Sequence, residues 1–205
     1  MPAFCGLSKD IEKACDSVNL NLDGSMLAVR FEAFAGTPDP TNPYLLTKIE
    51  VIDPATGVFP VAGSAYAPVK IEWLYNSAQP NYEPVEGVNT PDSYIQTIGP
   101  IIVSDSETAS GKANLKSLNS QMWVIVSPLK GVVNADSKFH VYGVRNGLKF
   151  TSAATAVEFG NRVNGSFRSL AGGEEATPNG VNYLDTDIAK SNTLFKQRFD
   201  PVIVP

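Results

Sequence analysis

Hydrophobic residues in this chain alternate with polar ones far more often than they recur at helical spacing. Val69, Ile71, Trp73 and Tyr75 share one side of a period-two pattern, and Leu46 to Ile52 alternates around Thr47, Lys48 and Glu50. Met26 to Phe34 follows the turn Leu22-Asp23-Gly24-Ser25, which predicts a hairpin. Tyr94 to Ile98 and Ile101 to Val103 give further strand segments, split by Gly99-Pro100. The stretch 121–170 predicts an antiparallel meander: Met122-Trp123-Val124-Ile125-Val126, then Lys138 to Val144, then Arg145-Asn146-Gly147-Leu148 and a polar strand near Gly160 to Phe167. Trp73 and Trp123 both lie in such runs and are predicted to be core residues.

Helical spacing is short and local. Ala113, Leu115 and Leu118 predict a helix within Ser110 to Gln121 that packs on a sheet edge or face. Ile188 to Phe199 gives a weaker amphipathic pattern, with Leu194, Phe195 and Phe199 on one side and Lys190, Lys196 and Arg198 on a solvated side. Two proline-punctuated stretches, 36–43 with Pro38, Pro40 and Pro43, and 76–93 with Pro80, Tyr82 and Pro84, read as exposed loops that contact neighbouring subunits. The expected fold class is therefore mainly β: an antiparallel β-sandwich or barrel with one short flanking helix and long loops. An N-terminal arm over 1–18, a single β domain over 19–187 and a C-terminal arm over 188–205 divide the chain.

Composition supports this reading and narrows the function. At 205 residues the chain can bury one large β core, and its 16 Gly and 15 Pro favour turns over long helices. A net charge of −5 argues against a protein that grips phosphates through clustered cations. The longest apolar runs are far shorter than the roughly 20 residues that span a bilayer, so no membrane partner is expected. The N-terminus has no basic region ahead of an apolar run, which places synthesis in a reducing cytosol, with Cys5 and Cys15 as two reduced thiols.

Reactive residue types are scarce. The lone histidine, His140, falls inside Phe139-His140-Val141-Tyr142 with no turn nearby to expose a nucleophile, and reads as a polar-face strand residue. One histidine and two cysteines cannot complete a zinc set, and no phosphate-binding glycine loop occurs. Two acidic pairs remain, Glu174-Glu175 and Asp185 with Asp187, in a glycine-rich and exposed setting that would not raise a carboxyl pKa. Asn164-Gly165-Ser166 matches a glycosylation triplet but reads as a β-turn. No catalytic, cofactor or metal site is expected, so the chain is not read as an enzyme.

A helix leading into a hydrophobic strand (Asn114 to Val126), a strand ending in Tyr142-Gly143, the Gly147-Leu148 step, Gly160-Asn161-Arg162, and a strand ending in Gly173-Glu174-Glu175 before a proline turn carry a resemblance. Over residues 110–185 the chain resembles the tail-tube proteins of phages of the Bacteroidetes lineage. That resemblance implies a virion structural protein that assembles with itself into hexameric rings, meets other virion proteins, pairs strands with its neighbours, and carries DNA only as passing cargo. Acidic strand faces, with Glu50, Glu72 and Glu158 as lumen candidates, would repel passing phosphates. A capsid-surface, adaptor or head–tail connector protein, a bacterial surface or adhesion module, and a hydrolase with an unrecognised site are the alternatives.

Overall fold

The computed structural model describes residues 25–72, 79–85, 93–103, 116–129, 137–152, 163–175, 177 and 180–201. Their strands are β1 (Ser25–Arg30), β2 (Phe34–Pro38), β3 (Leu45–Val51), β4 (Val69–Glu72), β5 (Gln79–Val85), β6 (Ser93–Val103), β7 (Met122–Pro128), β8 (Phe139–Tyr142), β9 (Leu148–Ser152), β10 (Val163–Arg168) and β11 (Val181–Tyr183). Residues 116–120 are helical (α1), and α2 spans Ile188–Lys196. The fold is mainly β, as the alternation predicts. All strands join one sheet in the order β2-β3-β11-β8-β7-β9-β10-β6-β5, with β1 pairing β7 and β4 as a branch. The purely antiparallel expectation fails at one place, because β11 runs parallel to β3. Closure into a barrel is not seen: among the described residues, β2 and β5 each pair on one side only.

The centre of the fold follows from β7. Its run Trp123-Val124-Ile125-Val126 does not alternate because both of its faces are buried. Trp123 and Ile125 enter one apolar cluster with Met26, Ile98, Phe150 and Phe167. Val124 and Val126 enter a second, with Leu27, Val29, Phe139 and Tyr183. The β9-β10-β6 wing thus bends to cover one side of the central strands. α2 helps cover the other through Leu194 and Phe195, with Phe199 buried just beyond it. Residues 188–201 are in this way tied to the core, although the sequence places them in a terminal arm.

β8 and β9 run consecutively along the same edge of β7. Ile125 pairs with Tyr142 and Trp123 with Leu148, so residues 143–147 are extruded as a turn. Gly143 and Gly147 bound this turn at φ of 75° and 76°. A Cβ on Gly143 would meet the Trp123 carbonyl oxygen at 2.9 Å, so glycine is required there for space as well as for backbone conformation.

Both proline stretches are more ordered than their composition suggests. Residues 36–38 belong to β2, which ends at Pro38. The turn that carries Pro40 and Pro43 is built by Asp39, whose Oδ1 accepts from Thr41 N at 2.7 Å and Asn42 N at 2.9 Å. The bonds from Thr41 and Asn42 hold the Asp39 carboxyl below its ordinary pKa against a small opposing effect of burial. Tyr44, at the end of this turn, is 60% exposed.

Residues 79–85 form β5, paired with β6 from Gln79↔Gly99 to Val85↔Ser93. The loop expectation for Pro80, Tyr82 and Pro84 is corrected here. Tyr94 N and Gln96 N donate away from β5, to Glu175 O and Ser169 Oγ. In antiparallel pairing this turns the backbone nitrogens of Pro80, Tyr82 and Pro84 to the outer edge. Two of them lack a hydrogen, and the third donates to Asn81 Oδ1 at 2.9 Å. Prolines are tolerated in β5 because it is an edge strand, and they leave that edge without free donors. The double substitution Pro80→Val with Pro84→Val restores two outward donors, and should shift the protein toward self-association at unchanged fold. Light scattering that shows the same particle size as the parent would contradict this.

Candidate functional site

The most polar buried region lies where β6, the 143–147 turn and the segment 169–177 meet. Gln96, 1% exposed, accepts from Gly143 N at 3.0 Å through Oε1 and donates from Nε2 to Thr177 O at 2.7 Å. Its own amide donates to Ser169 Oγ at 3.1 Å, and Ser169 N donates back to Gln96 O at 3.0 Å. Beside it, the Glu175 carboxylate accepts from Arg145 N at 2.8 Å and Asn146 N at 2.9 Å. Asn146 Nδ2 donates to Glu174 O at 2.6 Å, and Glu175 forms a two-bond bridge with Tyr94.

These contacts overturn the exposed reading of Glu174-Glu175. Glu175 is 2% exposed. Burial raises its pKa above the usual carboxylate value, opposed by the two amide bonds and the Arg145 charge. Glu174 stays at the surface, where amide bonds, that of Gly172 foremost, lower its pKa. The strand expected to end at Glu175 stops at Arg168, leaving 169–175 as a turn held by side chains. Each side-chain hydrogen bond of Gln96 and Glu175 goes to backbone or to Thr177. The cluster fastens an extruded turn to the β6 wing, where unmet amides would be costly.

The second acidic pair has a local task. Asp187 caps α2 by accepting from Lys190 N at 2.7 Å. Asp185 pairs with Lys190 Nζ at 2.8 Å. Burial raises the Asp185 pKa, but the bonds from Lys190 and Thr186 outweigh it and the net value is lowered. Neither carboxylate is left facing an open cation site, and no group of three metal-binding side chains occurs among the described residues.

His140 is buried, contrary to its expected place on a polar strand face, with Ser127 opposite it on β7 and Asn182 on β11. Ser127 is fully buried, which keeps substrate from reaching that hydroxyl. Asn164-Gly165-Ser166 lies within β10, so the turn reading is corrected. A Cβ on Gly165 would stand 2.3 Å from the Phe150 ring.

Of the lumen candidates, Glu50 and Glu72 lie on strands that do not pair with each other. Glu50 lies on β3, where its carboxylate pairs with Lys48 Nζ at 2.9 Å and part of its charge is offset. Glu72 ends β4, which pairs with β1 and not with β3. Glu158, Trp73, Cys5 and Cys15 fall outside the described residues, as does Gly160-Asn161-Arg162. No helix among the described residues is long and apolar enough to cross a membrane. No known protein family, curated protein or solved structure matches this chain.

Proposed function

We propose that this chain is a virion structural protein, a tail-tube subunit that stacks in rings around passing DNA. The observation that carries the non-catalytic part of this reading is the use of its buried polar side chains. Gln96, Ser169, Thr177 and Glu175 serve one another and the backbone of a strand-to-strand crossing, which is what a rigid building block needs. The tube part rests on the resemblance over 110–185. In its support, α1 leads into β7, β8 ends at Tyr142 and β9 begins at Leu148, whereas the strand that the resemblance carries to Glu175 ends at Arg168. The net charge of −5 suits a wall past which phosphates slide.

The donor-free outer edge of β5 favours a second reading, a head–tail adaptor or connector. It removes one route by which a ring could extend its sheet between subunits. In a tube, subunits would then meet through the Asp39 to Tyr44 turn and through side-chain faces. Negative-stain imaging of the purified full chain tests the proposal: stacked rings or tubes support it, and monomers or trimers at high concentration overturn it. In the same preparation duplex DNA should bind no tighter than a Kd of about 10⁻⁴ M at physiological salt. Micromolar, salt-sensitive binding would sink the repulsive-wall account and favour a connector.

A further inference from the structure

Beside α2 and β4 lie two adjoining cavities, one of about 430 Å³ and one of about 700 Å³, each large enough for a ligand. Lys70, Lys196 and Arg198 line both, and Lys138 lines the smaller. Asp200 is the one acidic residue among the described lining residues. Among the described lining residues of this cleft four cations thus stand against one acid, in a chain of net charge −5. Lys138 Nζ also donates to Leu129 O at 2.7 Å, so Lys196 and Arg198 are the cations that carry the argument. Apolar side chains form its walls, Leu27, Phe139 and Phe195 in one cavity and Phe59 and Pro68 in the other. Low-dielectric walls strengthen the pull of such charges on an anion.

The backbone beneath the cleft supplies a second, independent observation. α2 ends in a Schellman motif: Phe199 N donates to Leu194 O at 2.7 Å and Arg198 N to Phe195 O at 3.0 Å. The position after the C-cap in this motif is left-handed and favours glycine, yet Arg198 occupies it at a φ of 57°. Phe199 follows at 62°, anchored edge-on against Tyr183 with ring centroids 5.6 Å apart. Arginine is thereby held in an unfavourable backbone conformation where its side chain lines the cleft. Lys196 and Arg198 have no ion-pair partner among the described residues.

We infer that this cleft binds an acidic peptide segment of a partner chain, carboxylates against Arg198 and Lys196 and apolar side chains against the Phe195 and Phe59 walls. An open, two-lobed groove with cations at the shared rim suits an extended segment better than an enclosed small molecule, and the inference does not depend on the tube reading. The test uses the full chain and a fluorescein-labelled peptide rich in glutamate with two phenylalanines, beside its glutamine counterpart. The glutamate peptide should bind about tenfold tighter than the glutamine one, or about 1.4 kcal/mol, and weaken as salt rises. Arg198→Gly should leave the melting temperature level or higher, because glycine suits the left-handed site, yet weaken binding about tenfold. Lys196→Gln, at an exposed position, should weaken it in the same direction. Wild-type affinity in both folded variants overturns the inference, as does equal binding of the two peptides. Displacement of the peptide by an equal concentration of inorganic phosphate also overturns it, since the ligand would then be a small anion.

Discussion

Trp123→Ala should lower the unfolding free energy by about 3–5 kcal/mol, the largest loss expected from a single truncation in this core. The indole is 2% exposed in the cluster that joins β7 to the β9-β10-β6 wing, so its loss opens a cavity between these two parts of the sheet. It also ties α1 to β7, since Nε1 donates to Leu118 O at 2.9 Å. The two contributions separate through Trp123→Phe, which keeps much of the volume and removes the donor. That variant should lose the smaller part, about 1–2 kcal/mol with the carbonyl left unmet. Urea unfolding measures both, and a loss below about 1 kcal/mol for the alanine variant would mean that the wing and the central strands are not held by this residue.

Glu175→Ala should cost about 2–4 kcal/mol at neutral pH, because the Arg145 and Asn146 amides lose a charged acceptor together. Glu175→Gln should fall between, as an amide side chain can accept one of these bonds but presents a donor to the other. The pH dependence has a definite sign. Burial raises the folded pKa of Glu175 above its unfolded value near 4.5, so its contribution to stability is full below that value and declines as pH rises through the folded pKa. The gap between parent and Glu175→Ala should therefore narrow from pH 4.5 upward. A gap that widens over that range would show that the amide bonds and Arg145 outweigh burial. No gap at any pH would mean that the 143–147 turn is held without this carboxylate.

Strand positions were legible in the alternation because a half-buried strand writes its environment into every second residue: Ile49 and Val51 of β3 are buried, while Lys48 is exposed and Glu50, between the two buried residues, is half-buried. The unbroken run at Trp123 to Val126 marked a strand and, in retrospect, a doubly covered one. The weakly amphipathic α2 was also visible in the spacing of Leu194, Phe195 and Phe199. Asp187, three residues ahead of Lys190, is a helix-start signal that its closeness to Asp185 in the sequence disguises as half of an acidic pair.

What the sequence by itself determined is thus the strand-rich class, the apolar faces and the positions where glycine bends the chain, all of which depend on neighbours a few residues apart. Only the tertiary structure decided the rest. The parallel pairing of β11 with β3, the bend that stacks Phe150 and Phe167 under β7, and the burial of Glu175 join residues far apart in the chain. β5 shows the same limit from the other side: its prolines look like loop residues until the single partner β6 leaves them an outer edge. Arg198 and Lys70 are far apart in the sequence and line one cleft in the fold, because the end of α2 and β4 border the same cavity. A carboxylate or a cation takes its role from which backbone and charges surround it in space, and a linear pattern records only those within a turn or two.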